Sequence, residues 1–188
     1  VLTKKIPQLQ PIFLTAETLA EEDGKNFGKF EVIICGQTVK ELTNKEMMQT
    51  YINKAKKPII IAGRGVQISQ AEQELVSMAE KAQIPVICTL LGLGAFPGSH
   101  YLNLSLMGMH GSAFANIAVD ESDLVINIGA RFDDRIVGKV ENFARNAKFI
   151  HITIDPSNIN QNVEAHAPVV GDAKLVLQKM NSLIKSVK

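Results

Sequence analysis

The feature that most constrains this chain is a series of short apolar runs, most of them halted by a glycine or a proline. Residues 59–62, 85–88, 124–128, 149–154 and 168–170 are such runs, and Gly63, Gly129, Pro156 and Gly171 punctuate them. Runs of this length suit strands, because a helix of ordinary size needs ten or more residues. Their apolar character is nearly continuous, most plainly in Ile59-Ile60-Ile61-Ala62, so both faces of each strand must be covered. Between the runs the period becomes helical. Thr43 followed by Glu46 forms a capping-box pattern that opens a helix over 43–56. Leu75, Val76, Met78, Ala79 and Ala82 repeat at helical spacing over 71–82. Further helices are predicted over 112–119, after Pro156 and Asn158, and over 173–185, the last capped by Asp172. Strands alternating with helices imply βαβ units and a parallel sheet. The fold class is α/β, doubly wound, with helices on both faces.

Residues 1–40 read differently and form an N-terminal segment, with an acidic helical stretch at 16–23 and a weak strand at 30–35. Residues 41–188 form the regular domain. Composition narrows its function classes. Lys plus Arg number 20 against 19 Asp plus Glu, a net charge of +1 that gives no electrostatic footprint for nucleic acid or an anionic membrane. No run approaches the ~20 residues that span a bilayer, and no secretory signal pattern opens the chain. Cys35 and Cys88 have no short-spaced partner, which argues against a metal knuckle or disulfide framework and fits a reducing cytoplasm.

In open α/β sheets, ligands bind beyond the carboxyl ends of the strands. The segments there are Gly63-Arg64-Gly65, Thr89-Leu90-Leu91-Gly92-Leu93-Gly94, Gly129-Ala130-Arg131-Phe132-Asp133-Asp134-Arg135, Asp155-Pro156 and Gly171-Asp172. Small residues admit a ligand close to the backbone, and arginines neutralise phosphate charge. The nicotinamide fingerprint fails, since Ile68 stands where the third glycine belongs and no acidic residue ends the next strand. Gly63-Arg64-Gly65 is equally readable as a tight strand-to-helix turn. Of 13 glycines, Gly92, Gly94, Gly98, Gly108 and Gly111 crowd one stretch. There Gly108-Met109-His110-Gly111 precedes a helix N-terminus with unpaired N–H donors, a setting for an anion. The adjacent Asp133 and Asp134 invite a metal reading, but Arg131 and Arg135 flank them, so ion pairing or phosphate contact ranks above it. His100, His151 and His166 lack ligand-like spacing, and no G-x-S-x-G elbow indicates a serine hydrolase.

Lys56-Lys57-Pro58 through Gly63-Arg64-Gly65-Val66, Thr89-Leu90-Leu91-Gly92-Leu93-Gly94-Ala95-Phe96-Pro97, Gly108-Met109-His110-Gly111 and the Gly129–Arg135 string resemble the acetolactate synthase (acetohydroxyacid synthase) family. The resemblance is to the central of three domains in these thiamine-diphosphate enzymes and covers about residues 40–188. It implies a six-stranded parallel sheet that binds FAD in an extended pose, the flavin taking no net redox part. It also implies an enzyme that joins pyruvate to a second 2-oxo acid in branched-chain amino-acid biosynthesis, as a cytoplasmic homo-oligomer. Carried over by residue, the FAD contacts fall on Gly63, Arg64, Gly65, Thr89, Leu90, Gly108, Met109, His110, Gly111, Gly129, Arg131, Asp133, Arg135, Thr153, Asp172 and Ala173.

Two departures accompany the resemblance. The family usually has an acidic residue at the position of Thr153, able to accept from the adenosine ribose; a threonine forfeits the charge-assisted bond. The activating glutamate and the metal-binding G-D-G…N motif, which serve thiamine diphosphate and Mg2+, belong to the family's other two domains. The expectation is therefore that this chain alone makes no acetolactate. The competing class is a binding or assembly module of the same fold without FAD.

Overall fold

A computed structural model describes residues 44–184; the predicted segments at 16–23 and 30–35 lie outside them. Six strands form one all-parallel sheet: β1 (Pro58–Ala62), β2 (Val86–Cys88), β3 (Asn103–Leu106), β4 (Leu124–Ile128), β5 (Lys148–Thr153) and β6 (Ala167–Val170). Their order is β3-β2-β1-β4-β5-β6. The chain winds outward from β1 to one edge, then crosses back and winds from β4 to the other. The β1/β4 boundary is therefore the topological switch point, where open sheets of this kind form their ligand crevice.

Both faces are covered, as the apolar runs require. On one face Ile60, Ala62, Ile126, Ile128, Ile150 and Ile152 pack beneath α2 (Arg64–Ile68), α3 (Glu72–Ala82) and α6 (Ala173–Leu183), which contribute Val66, Leu75, Met78 and Leu177. On the other, Ile59, Ile61, Ile87, Val125 and Phe149 meet Ala115 and Val119 of α4 (Ala113–Asp120) and Val137 of α5 (Asp134–Val137). Each such aliphatic side chain contributes about 1.5–3 kcal/mol on full burial. The predicted 43–56 helix is α1 (Asn44–Lys54) among the described residues. Edge strand β6 accommodates Pro168, which has no N–H to offer a further strand.

Two expectations need correction. The helix predicted after Pro156 is only a 3-10 turn, Pro156–Asn158, because Asp155 Oδ1 accepts from the backbone N and the hydroxyl of Ser157 and closes the turn on itself. Strand β3 carries no clear apolar run. It is an edge strand whose residues are half-buried or exposed, and its pairing with β2 shifts register between Val86 and Cys88. Half-covered strands lack the continuous signature that revealed the others.

Candidate functional site

Across the switch point the backbones of the β1 and β4 turns touch. Gly63 N–H donates to Ile128 O and Gly65 N–H to Gly129 O, both at 2.9 Å. A Cβ on Gly63 would lie 2.3 Å from Gly129 O, and one on Gly65 would lie 2.6 Å from Gly129 Cα. Gly129 itself has φ +64, a conformation that disfavours any side chain. These three glycines are thus required by backbone packing alone, which supports the tight-turn reading. Their amides serve the fold. Arg64, between the first two, is exposed.

The neighbouring turns are knitted on in the same way. Thr89 N–H donates to Ala62 O at 3.0 Å, and its hydroxyl accepts from Gly92 N at 3.2 Å, capping the 3-10 turn Leu90–Gly92. Leu90 stays exposed. Gly108 has φ +101 and lies so close to α5 that a Cβ would meet Arg135 O at 2.7 Å. Met109 N–H donates to that same oxygen at 3.3 Å. Asn116 of α4 clamps Gly108 from both sides, accepting from its N at 2.9 Å and donating to its O at 3.0 Å. Gly111 is held against Leu106 and Met107, and Ser112 caps α4 by accepting from Ala115 N at 3.3 Å. Met109 and His110 are exposed, Met109 at 77%.

The Arg131–Arg135 segment shows neither the internal ion pairs nor a metal site. Among the described residues Arg131 and Arg135 are exposed and make no ion pair, and no group of three metal-ligating side chains occurs. Asp133 stands at the N-cap of α5 without capping it, and its Oδ1 is buried with no hydrogen-bond partner. That oxygen is an acceptor awaiting a donor. Thr153, at the end of β5, is buried, and its hydroxyl is already engaged: it accepts from Asp155 N at 3.2 Å and lies 3.4 Å from Asp155 O. Asp172 caps α6 through Leu175 N at 3.1 Å, as predicted, and Ala173 is buried beside it.

The structure therefore gathers the predicted positions along one rim, the carboxyl edge of all six strands. Five inter-strand steps of about 4.8 Å make it roughly 24 Å long. Direct contacts join Gly63 and Gly65 to Gly129, and Gly108 and Met109 to Arg135; Thr153, Asp172 and Ala173 stand at the β5 and β6 end. Asn127 and Asn162 escaped the sequence reading, and His151 was weighed there only as a histidine without ligand-like spacing; the three bond the backbone of Ala130 and Phe132. A polar residue inside the run Leu124-Val125-Ile126-Asn127-Ile128 was the available signal.

A doubly wound α/β domain with its polar, glycine-built rim at the carboxyl edge is the class that fold and site define. The chain belongs to the thiamine pyrophosphate enzyme family, whose central-domain model matches residues 46–180. It is 49% identical over 135 residues to the acetolactate synthase large subunit of Buchnera aphidicola subsp. Schizaphis graminum, covering 72% of this chain and 24% of that protein. It is 50% identical over 129 residues to the probable acetolactate synthase large subunit of Methanococcus aeolicus, covering 69% and 22%. Against acetolactate synthase 2, chloroplastic, of Nicotiana tabacum the identity is 47% over 141 residues, covering 75% and 21%. The matched stretch thus spans a quarter or less of these relatives' own length.

Proposed function

We propose that this chain serves as the FAD-binding central domain of an acetolactate synthase, which joins pyruvate to a second 2-oxo acid. The observation that carries the reading is the composition of the rim. Exposed Arg64, Arg131 and Arg135 supply unpaired cations for a diphosphate, and the unpartnered Asp133 Oδ1 supplies an acceptor for a sugar hydroxyl. The residues present fit a flavin dinucleotide on those two counts. The exposed Met109 and His110 offer an apolar surface and a donor to the same ligand. In this reading the flavin contributes no net redox step, and the domain's own residues bind and orient it. Thiamine diphosphate and Mg2+ belong to the full-length enzyme, a cytoplasmic homo-oligomer, held by domains outside the matched region; the isolated chain is not catalytic.

A second reading has an observation of its own. The Thr153 hydroxyl is already partnered by Asp155, accepting from its N, so it offers the adenosine ribose no charge and only a shared neutral acceptor. A domain that keeps the fold as an assembly module without FAD is the outcome this favours. Visible absorption of natively purified protein, followed by FAD titration, separates the two. Saturable binding with a bound-flavin spectrum supports the first; a colourless protein that does not titrate overturns it and leaves the module.

A further inference from the structure

Asn127 and His151 are both fully buried polar side chains, each flanked along its strand by two buried isoleucines, Ile126 and Ile128 on β4 and Ile150 and Ile152 on β5. They are direct partners in the β4–β5 register and lie on the face shared by Val125 and Phe149. Both turn to one target. Asn127 brackets Ala130, donating from Nδ2 to its O at 3.0 Å and accepting from its N at 3.3 Å. His151 Nε2 reaches the same oxygen at 3.2 Å. A carbonyl only accepts, so Nε2 carries the ring proton and Nδ1 is a bare lone pair. Nδ1 is indeed buried without a partner. Burial holds the imidazole below its ordinary pKa, which keeps that neutral tautomer. Two residues further on, Phe132 packs edge-on against the His151 ring at 5.0 Å, and its O accepts from Asn162 Nδ2 at 2.5 Å.

The result is a pinned backbone on both sides of Arg131, whose own side chain is exposed. An aliphatic pair at 127 and 151 would suit a buried parallel sheet better, since an unpartnered buried nitrogen is destabilising. We propose that Asn127 and His151 are positioning residues that fix the 130–132 backbone and so present Arg131 to an anionic ligand at the rim. The identity of that ligand as a flavin diphosphate rests on the function proposed above; the pinning does not.

The test uses the full chain and two readouts. In ligand-free protein, amide hydrogen exchange over residues 131–136 is compared with that of β1 and β4; FAD and ADP titrations follow. Asn127→Leu and His151→Leu are expected to speed exchange in 131–136 by about tenfold, the size of one lost buried hydrogen bond, while β1 and β4 keep their protection. His151→Gln, whose amide reaches where Nε2 does, is expected to restore slow exchange, and ligand affinity should follow the same order. Unchanged exchange in both folded Leu variants, or a Gln variant no better than Leu, overturns the proposal. Should a Leu variant fail to fold, Asn127→Ala and His151→Gln against His151→Asn decide by the same exchange readout. A wild type that binds no FAD while 131–136 responds as expected defeats the flavin reading alone.

Discussion

Gly63 and Gly129 meet where the two halves of the sheet diverge, and neither site has room for a methyl group. Gly63→Ala would place Cβ against backbone atoms that cannot rotate away, so we expect a loss of about 1–3 kcal/mol, as for overpacked cores. Urea midpoints measured on the variant and the wild type check this. Arg131 is the opposite kind of residue: exposed, unpaired and without structural employment. Arg131→Ala should leave the urea midpoint in place and weaken FAD binding by about 1.5–3 kcal/mol, the worth of a charge-assisted bond. Equal titration curves would remove Arg131 from the phosphate role. Cys88, buried in the core, has its thiol pushed up to about 11 by desolvation, which makes it a packing residue and not a nucleophile.

At the scale of elements, the strands with both faces covered were readable from sequence because burial on two sides forces an unbroken apolar run. β4 was legible to the residue, as 124–128. Strand β3 was not, since an edge position with half-exposed side chains allows Asn103 and Ser105. The two shortest helices, α2 and α5, were missed for a related reason: one turn or so is too little for periodicity to register. The Asp172 cap was legible because its hydrogen bond is local, while the predicted Thr43 capping box lies outside the described residues. Asp172 closes the N-terminus of α6, which packs against α3 through Asn181 Nδ2 to Glu74 O at 2.9 Å. Asp172→Ala should therefore cost about 1 kcal/mol, visible as a lower thermal midpoint. If Asp172 also contacts the dinucleotide, the same variant will bind FAD less tightly, a separate measurement.

For the molecule as a whole, two histidines set a pH dependence. His151 is held below its ordinary value of 6.5 by burial against a weaker opposing bond to Ala130 O. His166 is lowered as well, by burial and then by the Lys148 charge, with Glu164 opposing. In each case the unfolded chain takes up a proton at a pH where the folded protein does not. Their contribution is therefore present above pH 6.5 and is lost as the pH falls toward the folded values. Urea midpoints should decline as the pH falls below 6.5, and His151→Gln should flatten part of that decline. A midpoint that rises on acidification would contradict the sign.

The sequence by itself determined the α/β class, most strands, the Asp172 cap and the positions that line the carboxyl rim, because periodicity, glycine punctuation and capping act over a few residues. It left open what the rim glycines are for and what holds the loops between them. Those answers depend on residues brought together from distant parts of the chain: Gly63 on Gly129, Gly108 on Arg135, Asn127 and His151 on Ala130. Close approach of backbones and the satisfaction of buried polar atoms are properties of the packed sheet. No spacing in the sequence encodes them, so only the tertiary structure could decide that the glycines serve the fold while, among the described residues, Arg131 makes no ion pair and Asp133 Oδ1 has no hydrogen-bond partner.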